Sequence, residues 1–309
     1  MDFPIVDLMD EEACYQRLVE ILHRDGLACP RCHSGDGLTV HKRLRAPILD
    51  YRCTACGCVF NAFTKTVFHK TRFRPSELIL FLRGVAQGVP TAQLARELGK
   101  HRLHLLALRH RLQEQARRVA DPLPLDEPVV EADEMYQNAG EKGIPHRDAD
   151  DPPRRRGNQR RGHGTYANDR PPVAAVVGRG GGPLRLRVVE HADGETLQEF
   201  VRRMTWPGTL VNTDEWGAYA GLPSCGRGHA TVCHTAGEWA RDDDGDGVRE
   251  VHDNTLEGIW TGLRNFLRPF RGVNKYFLDQ YVAIFQWGYN RKEATMDFLR
   301  SLVGVPRVA

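Results

Sequence analysis

Between residues 128 and 290 the apolar positions change period several times, and each change marks an element. PVVEADEMY (128–136) reads as a strand whose end carries carboxylates. PPVAAVVGR and LRLRVVEH read as two further strands, antiparallel across the glycine-rich turn GRGGGP. GETLQEFVRRM is a helix, GTLVNTDEWGAY is a strand ending at Asp214, and ATVCHTA is a fifth short strand. HDNTLEGIWTGLR then opens a long helix, with Leu256, Ile259, Trp260, Leu263 and Leu267 recurring on one face. Asn254 and Glu257 have the spacing of a capping box at its start. Strand-strand-strand-helix-strand-helix-strand-helix is the order of an RNase H-like α/β domain.

The N-terminal half has a different pattern. LTVHKRLRAPILDYRC reads as a short β-hairpin. SELILFLRGVAQGV is a helix with Ser76 as its expected cap. Thr91 is expected to cap the short helix TAQLARELG, Gly99 ends it, and a second helix carries Leu103, Leu106, Leu108 and Leu112. Helix, glycine-containing turn and helix give the helix-turn-helix outline. The three prolines of ADPLPLDEP mark a linker. The whole predicts a multidomain α+β protein. It has an N-terminal helix and ribbon (1–66), a helix-turn-helix-like segment (67–120), a linker (121–127), the α/β domain (128–295) and a tail (296–309).

Composition adds little until charge is placed along the chain. The net charge is only +3 over 309 residues. Yet residues 70–118 hold eleven Lys or Arg against three Glu, an excess suited to a polyanion. Within that stretch Arg96, Lys100, Arg102, His104 and Arg109 are the candidate DNA contacts, with His101 and Arg111 beside them. A second basic run, RRRGNQRR, supplies Arg154, Arg155, Arg156, Arg160 and Arg161. It reads as a loop whose phosphate contacts would be sensitive to salt. MDFPIVDLMDEEA lacks a basic flank and a long apolar run, and no segment approaches the roughly 18 apolar residues of a membrane span. A soluble, cytoplasmic protein that meets no membrane is expected, with its thiols reduced.

Eight cysteines therefore need an explanation other than disulfides. Cys29 and Cys32, then Cys53 and Cys56, form two C-x-x-C pairs separated by 20 residues, the pattern of a zinc ribbon with one structural Zn²⁺. Gly57 follows the second pair, as a knuckle turn often requires. Cys14, Cys58, Cys225 and Cys233 read as ordinary thiols.

Three acids stand out in the α/β half: Asp133 ending the first strand, Asp214 ending the fourth, and Glu257 on the late helix. In an RNase H-like fold these positions lie side by side. Clustered carboxylates repel one another and call for divalent cations, and hard oxygen donors select Mg²⁺ or Mn²⁺. Two ions roughly 3.5–4 Å apart suit phosphodiester cleavage and transesterification.

At these residues the sequence resembles a known family. VEADEMYQNAGEKG, RRRGNQRRGHGTY, VNTDEWGAY, CHTAGEWAR and VHDNTLEGIWTGLRNFLRPFRGV are similar to the DDE transposases of bacterial insertion sequences, in the ISXO2-like branch with an N-terminal zinc ribbon. The resemblance covers nearly the whole chain, including MDFPIVDLMDEEACYQRL and CPRC. It implies a DNA transposase that binds terminal inverted repeats, cleaves them with Mg²⁺, and joins 3′ ends to target DNA. Such an enzyme would work as a homodimer or larger assembly on double-stranded DNA. Asp133, Asp214 and Glu257 fall on the family's acidic triad, 81 and 43 residues apart. Asn254 is a second candidate for the third position. Where the family has lysine seven residues after the glutamate, this chain has Arg264, which keeps the charge but not a lysine's point geometry. Glu131, Glu134 and Glu215 read as solvated strand-end acids. DDDGDGVREVHD departs from a calcium loop at its last ligand and reads as a solvated acidic loop. Two other readings stay open: a DNA-binding regulator without catalysis, and a metal-dependent nuclease that cuts without joining.

Overall fold

The computed structural model describes residues 10–119, 123–140, 163–179, 181–243, 245–291 and 303. The chain divides into two compact units, Met1–Val119 with Arg291–Ala309, and Ala120–Asn290. The cysteine ribbon and the basic helices thus share one unit.

In the first unit, α1 (Glu11–Leu22) is capped by Asp10, whose carboxylate accepts the Glu12 and Ala13 amides. A three-stranded antiparallel sheet follows, β1 (Leu38–Arg45), β2 (Ile48–Cys53) and β3 (Val59–Phe60). Three helices complete the unit: α2 (Pro75–Ala86), α3 (Thr91–Glu97) and α4 (Arg102–Val119).

The helix starts differ from the sequence expectation. Ser76 lies inside α2 rather than capping it. Its amide and hydroxyl donate to Glu11 on α1, at 3.0 and 2.6 Å. The helix instead begins with Pro75 at its first position, where the missing N–H costs nothing, and the Glu77 carboxylate accepts the Arg74 amide at 2.9 Å. Thr91 is likewise the first helical residue, after Pro90. Gly84 lets α2 and α3 approach: a methyl group there would meet Leu94 Cδ2 at 2.5 Å.

The apolar face of α4 is also rotated from the expectation. Leu105, Leu108, Leu112 and Ala116 are buried, while Leu103 is 62% exposed.

The second unit is built on a five-stranded sheet of order β6-β5-β4-β7-β8. Its strands are β4 (Val129–Tyr136), β5 (Pro172–Gly178), β6 (Leu184–Val188), β7 (Leu210–Thr213) and β8 (Gly228–Thr231). The first three pair antiparallel, and β7 and β8 continue the sheet parallel to β4. Helices α5 (Gly194–Met204), α6 (Asn254–Leu267) and α7 (Leu278–Asn290) supply the layers.

Alternation along the strands divides the core. Val130, Ala132, Ala174, Val176 and Val211 face α5 through Leu197, Phe200 and Val201. Met135, Val173, Ala175 and Val177 face α6 and α7 through Leu256, Trp260, Leu263, Leu278 and Val282. Strand β5 is buried on both faces, which explains its unbroken apolar run. Among the described residues no helix is long and apolar enough to cross a membrane.

Candidate active site

The four cysteines of the two C-x-x-C pairs converge, with all four Sγ atoms within 4.8 Å of one another. Cys29 and Cys56 are 3.5 Å apart, and Cys32 and Cys53 are 3.6 Å apart. Four thiolates about 2.3 Å from a tetrahedral ion would be about 3.8 Å from each other, so the quartet fits a structural zinc. The two knuckles repeat one geometry. His33 N donates to Cys29 O and Gly57 N to Cys53 O, both at 2.9 Å, with φ of 61° at His33 and 72° at Gly57. Burial raises the Cys29 thiol, but the Cys32 and Arg31 amides and the neighbouring sulfurs more than offset this and hold it at about 6.

In the second unit the sheet itself brings two acids together. Glu131 on β4 lies opposite Asn212 on β7 in the parallel register. Two residues further along each chain, on the same face, come Asp133 and Asp214: Asp214 follows the last residue of β7 as expected, but Asp133 does not end its strand, since pairing with β5 carries β4 on to Tyr136. Trp260 on α6 donates its indole N–H to Asp133 Oδ2 at 2.6 Å, which ties the strand to the helix. Asp214 Oδ1 accepts the Trp216 amide at 3.0 Å.

The electrostatics are those of crowded, dehydrated carboxylates. Burial, then the charges of Asp214 and Asp253, push Asp133 up to about 7 against the Trp260 hydrogen bond. Burial and the charges of Asp253 and Glu215 raise Asp214. Burial and Asp133 push Glu134 up to about 9.

Such shifts link stability to pH. For Asp133 and Glu134 the folded values lie above the unfolded ones, so their contribution is fully present below about pH 4 and lost as pH rises through about 7 and about 9. In buffer lacking divalent cations, the urea midpoint of this unit is expected to fall between pH 5 and 9. Saturating Mg²⁺ should flatten the slope. A midpoint that rises with pH in cation-free buffer would contradict the arrangement.

Two of the three neighbouring acids expected to be solvated are not. Glu131 is fully buried, and its carboxylate accepts Thr255 N at 2.9 Å, Thr255 Oγ at 2.7 Å and Leu256 N at 3.1 Å. It therefore caps α6 across the sheet–helix interface. Glu134 is partly buried and accepts the Tyr219 hydroxyl at 2.9 Å. Glu215 is exposed as expected and holds the His234 and Thr235 amides. Glu131→Ala would leave two helix-start amides without their acceptor and is expected to cost about 1–3 kcal/mol. Chemical denaturation measures this, and an unchanged midpoint would refute the capping role.

The capping box at Asn254 is replaced by this arrangement. The helix starts at Asn254, with Asp253 as the cap residue, and both Asn254 and Glu257 are exposed. Glu257 lies close enough to His234 to help raise its pKa. Arg264 is exposed on the same helix, and seven residues on from Glu257 it lies within about 20° of the same face. Among the described residues, the cysteine quartet is the one group of three or more possible metal ligands that converges, and no three of the acids do so.

The acidic loop turns its carboxylates on itself. Asp242 accepts the Gly245 and Gly247 amides, Asp243 pairs with Arg241, and Asp253 faces His234.

In the basic unit, a cleft of about 360 Å³ lies between the segment before α2 and the flank of α4. Its lining includes His69, Lys70, Arg72, Phe73, His104 and Arg111. Arg96 and Arg102 are exposed, and Lys100 pairs with Glu77 at 3.0 Å and lies over the Phe73 ring. Arg109 is not presented to a ligand. It is 0% exposed, donates to the Val89 carbonyl, and sits in the buried stripe of α4. The run of Arg154, Arg155, Arg156, Arg160 and Arg161 lies outside the described residues.

Comparison with known proteins bears directly on this site. The family described as ISXO2-like transposase domain matches residues 124–290, which include β4, β7 and α6. The chain belongs to the ISXO2-like transposase family. A relative from Halobacterium salinarum (strain ATCC 700922 / JCM 11081 / NRC-1), "Uncharacterized protein in transposable element ISH50", is 30% identical over 285 residues, covering 92% of each chain. A solved structure, a simian T-cell lymphotropic virus intasome in complex with PP2A regulatory subunit B56 gamma, matches at 14% identity. It covers 71% of this chain and 72% of that one with a TM-score of 0.32, too low to carry an argument.

Proposed function

We propose that this member of the ISXO2-like transposase family is an active DDE-type enzyme with an RNase H-like catalytic core. It binds the terminal inverted repeats of its element, cleaves them with Mg²⁺ or Mn²⁺, and joins the 3′ ends to target DNA. One observation carries the reading: Asp133, inside β4, and Asp214, just past the end of the adjacent parallel strand β7, fall on one face of the sheet, with α6 anchored to Asp133 through Trp260. The sheet order, antiparallel on one side of β4 and parallel on the other, supports an RNase H-like core.

The donor set fits divalent cations. It is all hard oxygen, and its carboxylates are raised by burial and by the charge of neighbouring acids, which a cation would relieve. Asp133 and Asp214 would hold the ions, with the start of α6 contributing Glu257 or Asn254. Two such ions supply an activated attacking oxygen and a stabilised leaving oxygen for phosphodiester chemistry. The protein's own contribution is placement. Trp260 fixes the Asp133 rotamer, the Trp216 amide fixes Asp214, and Glu131 fixes the start of α6. Arg264 stands on the same exposed helical face as Glu257, suited to a DNA phosphate.

The zinc ribbon and the basic cleft would grip the ends, and two ends would be paired by a homodimer or larger assembly. The deciding experiment incubates the purified protein with its element ends, Mg²⁺ and a target plasmid. Cleaved 3′ ends joined to the plasmid are expected, with Asp214→Asn inactive. Strand transfer undiminished in Asp214→Asn would sink the assignment, and cutting without joining would favour the nuclease.

A further inference from the structure

Asp253 is a helix cap that does not cap. An aspartate at this position ordinarily accepts an amide from the second or third helical residue. Here its side chain makes no capping bond, because Glu131 has taken the Thr255 and Leu256 amides from the strand side. Asp253 is nevertheless only 3% exposed. One oxygen, Oδ2, pairs with His234 Nε2 at 3.1 Å. The other, Oδ1, is buried with no hydrogen-bond partner among the described residues. Burying a carboxylate with half its acceptor capacity unused is unfavourable unless something else meets it.

We propose that Asp253 is a further cation-ligating carboxylate of this site, acting with Asp133 and Asp214, and that His234 positions it. This rests on the transposase reading above. Asn212, two residues before Asp214, donates to the His252 carbonyl at 3.4 Å, and Glu215, next to Asp214, accepts the His234 amide, so Asp253 lies beside the end of β7 where Asp214 stands. His234 is itself fixed. Its ring lies 4.9 Å from that of Trp239, and its amide donates to Glu215 at 2.9 Å. An imidazole on the far oxygen of a ligating carboxylate is a common way to orient it. Asp253 sits one residue before Asn254 and one helical turn before Glu257, so the start of α6 offers the cation more than the two motif positions.

The test is a Mn²⁺ titration of the zinc-loaded full chain, followed by electron paramagnetic resonance of free Mn²⁺. Asp253→Asn is expected to weaken Mn²⁺ binding at least about tenfold, as loss of a ligand or its orienting partner does. In Mn²⁺-free buffer the same variant should match or exceed the wild-type urea midpoint, since a repelling charge is gone. A purely structural Asp253 would do the opposite, lowering the midpoint and leaving Mn²⁺ affinity within twofold, and that result overturns the proposal. If Asp253→Asn does not fold, His234→Asn decides. Mn²⁺ affinity at least about threefold weaker supports positioning, and unchanged affinity overturns it. Retained binding in Asp253→Asn with loss in Asp214→Asn would reject Asp253 alone. No Mn²⁺ binding by the wild type would reject the transposase metal site along with it.

Discussion

Replacing Asp133 by asparagine is expected to abolish end cleavage and joining while leaving the protein folded and at least as stable. Asparagine has nearly the same shape and keeps a carbonyl oxygen for the Trp260 indole, so the strand–helix contact at 2.6 Å can persist. What disappears is charge. The wild-type carboxyl, pushed up to about 7 by burial and its acidic neighbours, ionises at neutral pH and above only at a cost. Removing it relieves that cost, so the urea midpoint in cation-free buffer should hold or rise. Catalysis should move the other way. Metal-assisted stabilisation of a phosphoryl transition state is worth several kcal/mol, so losing a ligand predicts a rate at least about 10³-fold lower. Opposite signs for stability and activity are the signature of a group kept for chemistry. If Asp133→Asn keeps its rate within tenfold, or lowers both quantities together, the residue is structural and the site lies elsewhere.

That pairing of signs separates Asp133 from Glu131, two residues earlier on the same strand face. Glu131 accepts from Thr255 and Leu256 and lies beside His252 and Arg179, so its loss should destabilise. One alternating strand thus presents a supporting acid and a reactive acid at consecutive inward positions. The supporting acid also frees Asp253 from capping.

Much of this was legible in the sequence. The strands of the α/β unit follow from period-two and continuous apolar runs, and the helices GETLQEFVRRM and NTLEGIWTGLRNFL from their 3.6-residue period. Asp214 was legible because it stands where an apolar strand pattern ends, and Asp133 because it interrupts one, although its strand runs on to Tyr136. Less legible were features decided by distant partners. The helix starts at Ser76, Thr91 and Asn254 were assigned by residue type. In the structure, proline at or next to the first turn fixes two of them, and a glutamate 124 residues away caps the third. Arg109 carries a signal that was there to read: it falls in the stripe 105, 108, 109, 112, 116, so its guanidinium points inward whatever its charge. Asp253 looked like the last ligand of a failed calcium loop. Its release from capping depends on Glu131, which no local pattern reveals.

Zinc removal should have the other large effect, centred on the ribbon and sparing the α/β unit. Beyond its cysteines, the apolar cluster there is small, with Phe60 buried and Leu27, Leu38 and Tyr51 partly so. A three-stranded sheet with that little core is not self-supporting, and metal binding in comparable structural sites supplies about 10–16 kcal/mol. Cys53→Ser removes one of four ligands from a quartet within 4.8 Å. It is expected to reduce bound zinc from one ion per chain to none, and to accelerate amide exchange across Leu38–Arg45 and Ile48–Cys53 to nearly the unfolded rate. Exchange in Val129–Tyr136 and Pro172–Gly178 should stay as in the wild type, because their hydrogen bonds and core are internal to the α/β unit. Binding to element ends should weaken strongly, since Arg45 of the ribbon donates to the Thr71 and Phe73 carbonyls and so braces one wall of the basic cleft. Cys58→Ser, next to the quartet but outside it, is the control and should keep its zinc. Protected ribbon amides in a zinc-free Cys53→Ser protein would show that the sheet stands without the metal, and the structural role assigned to the quartet would be wrong.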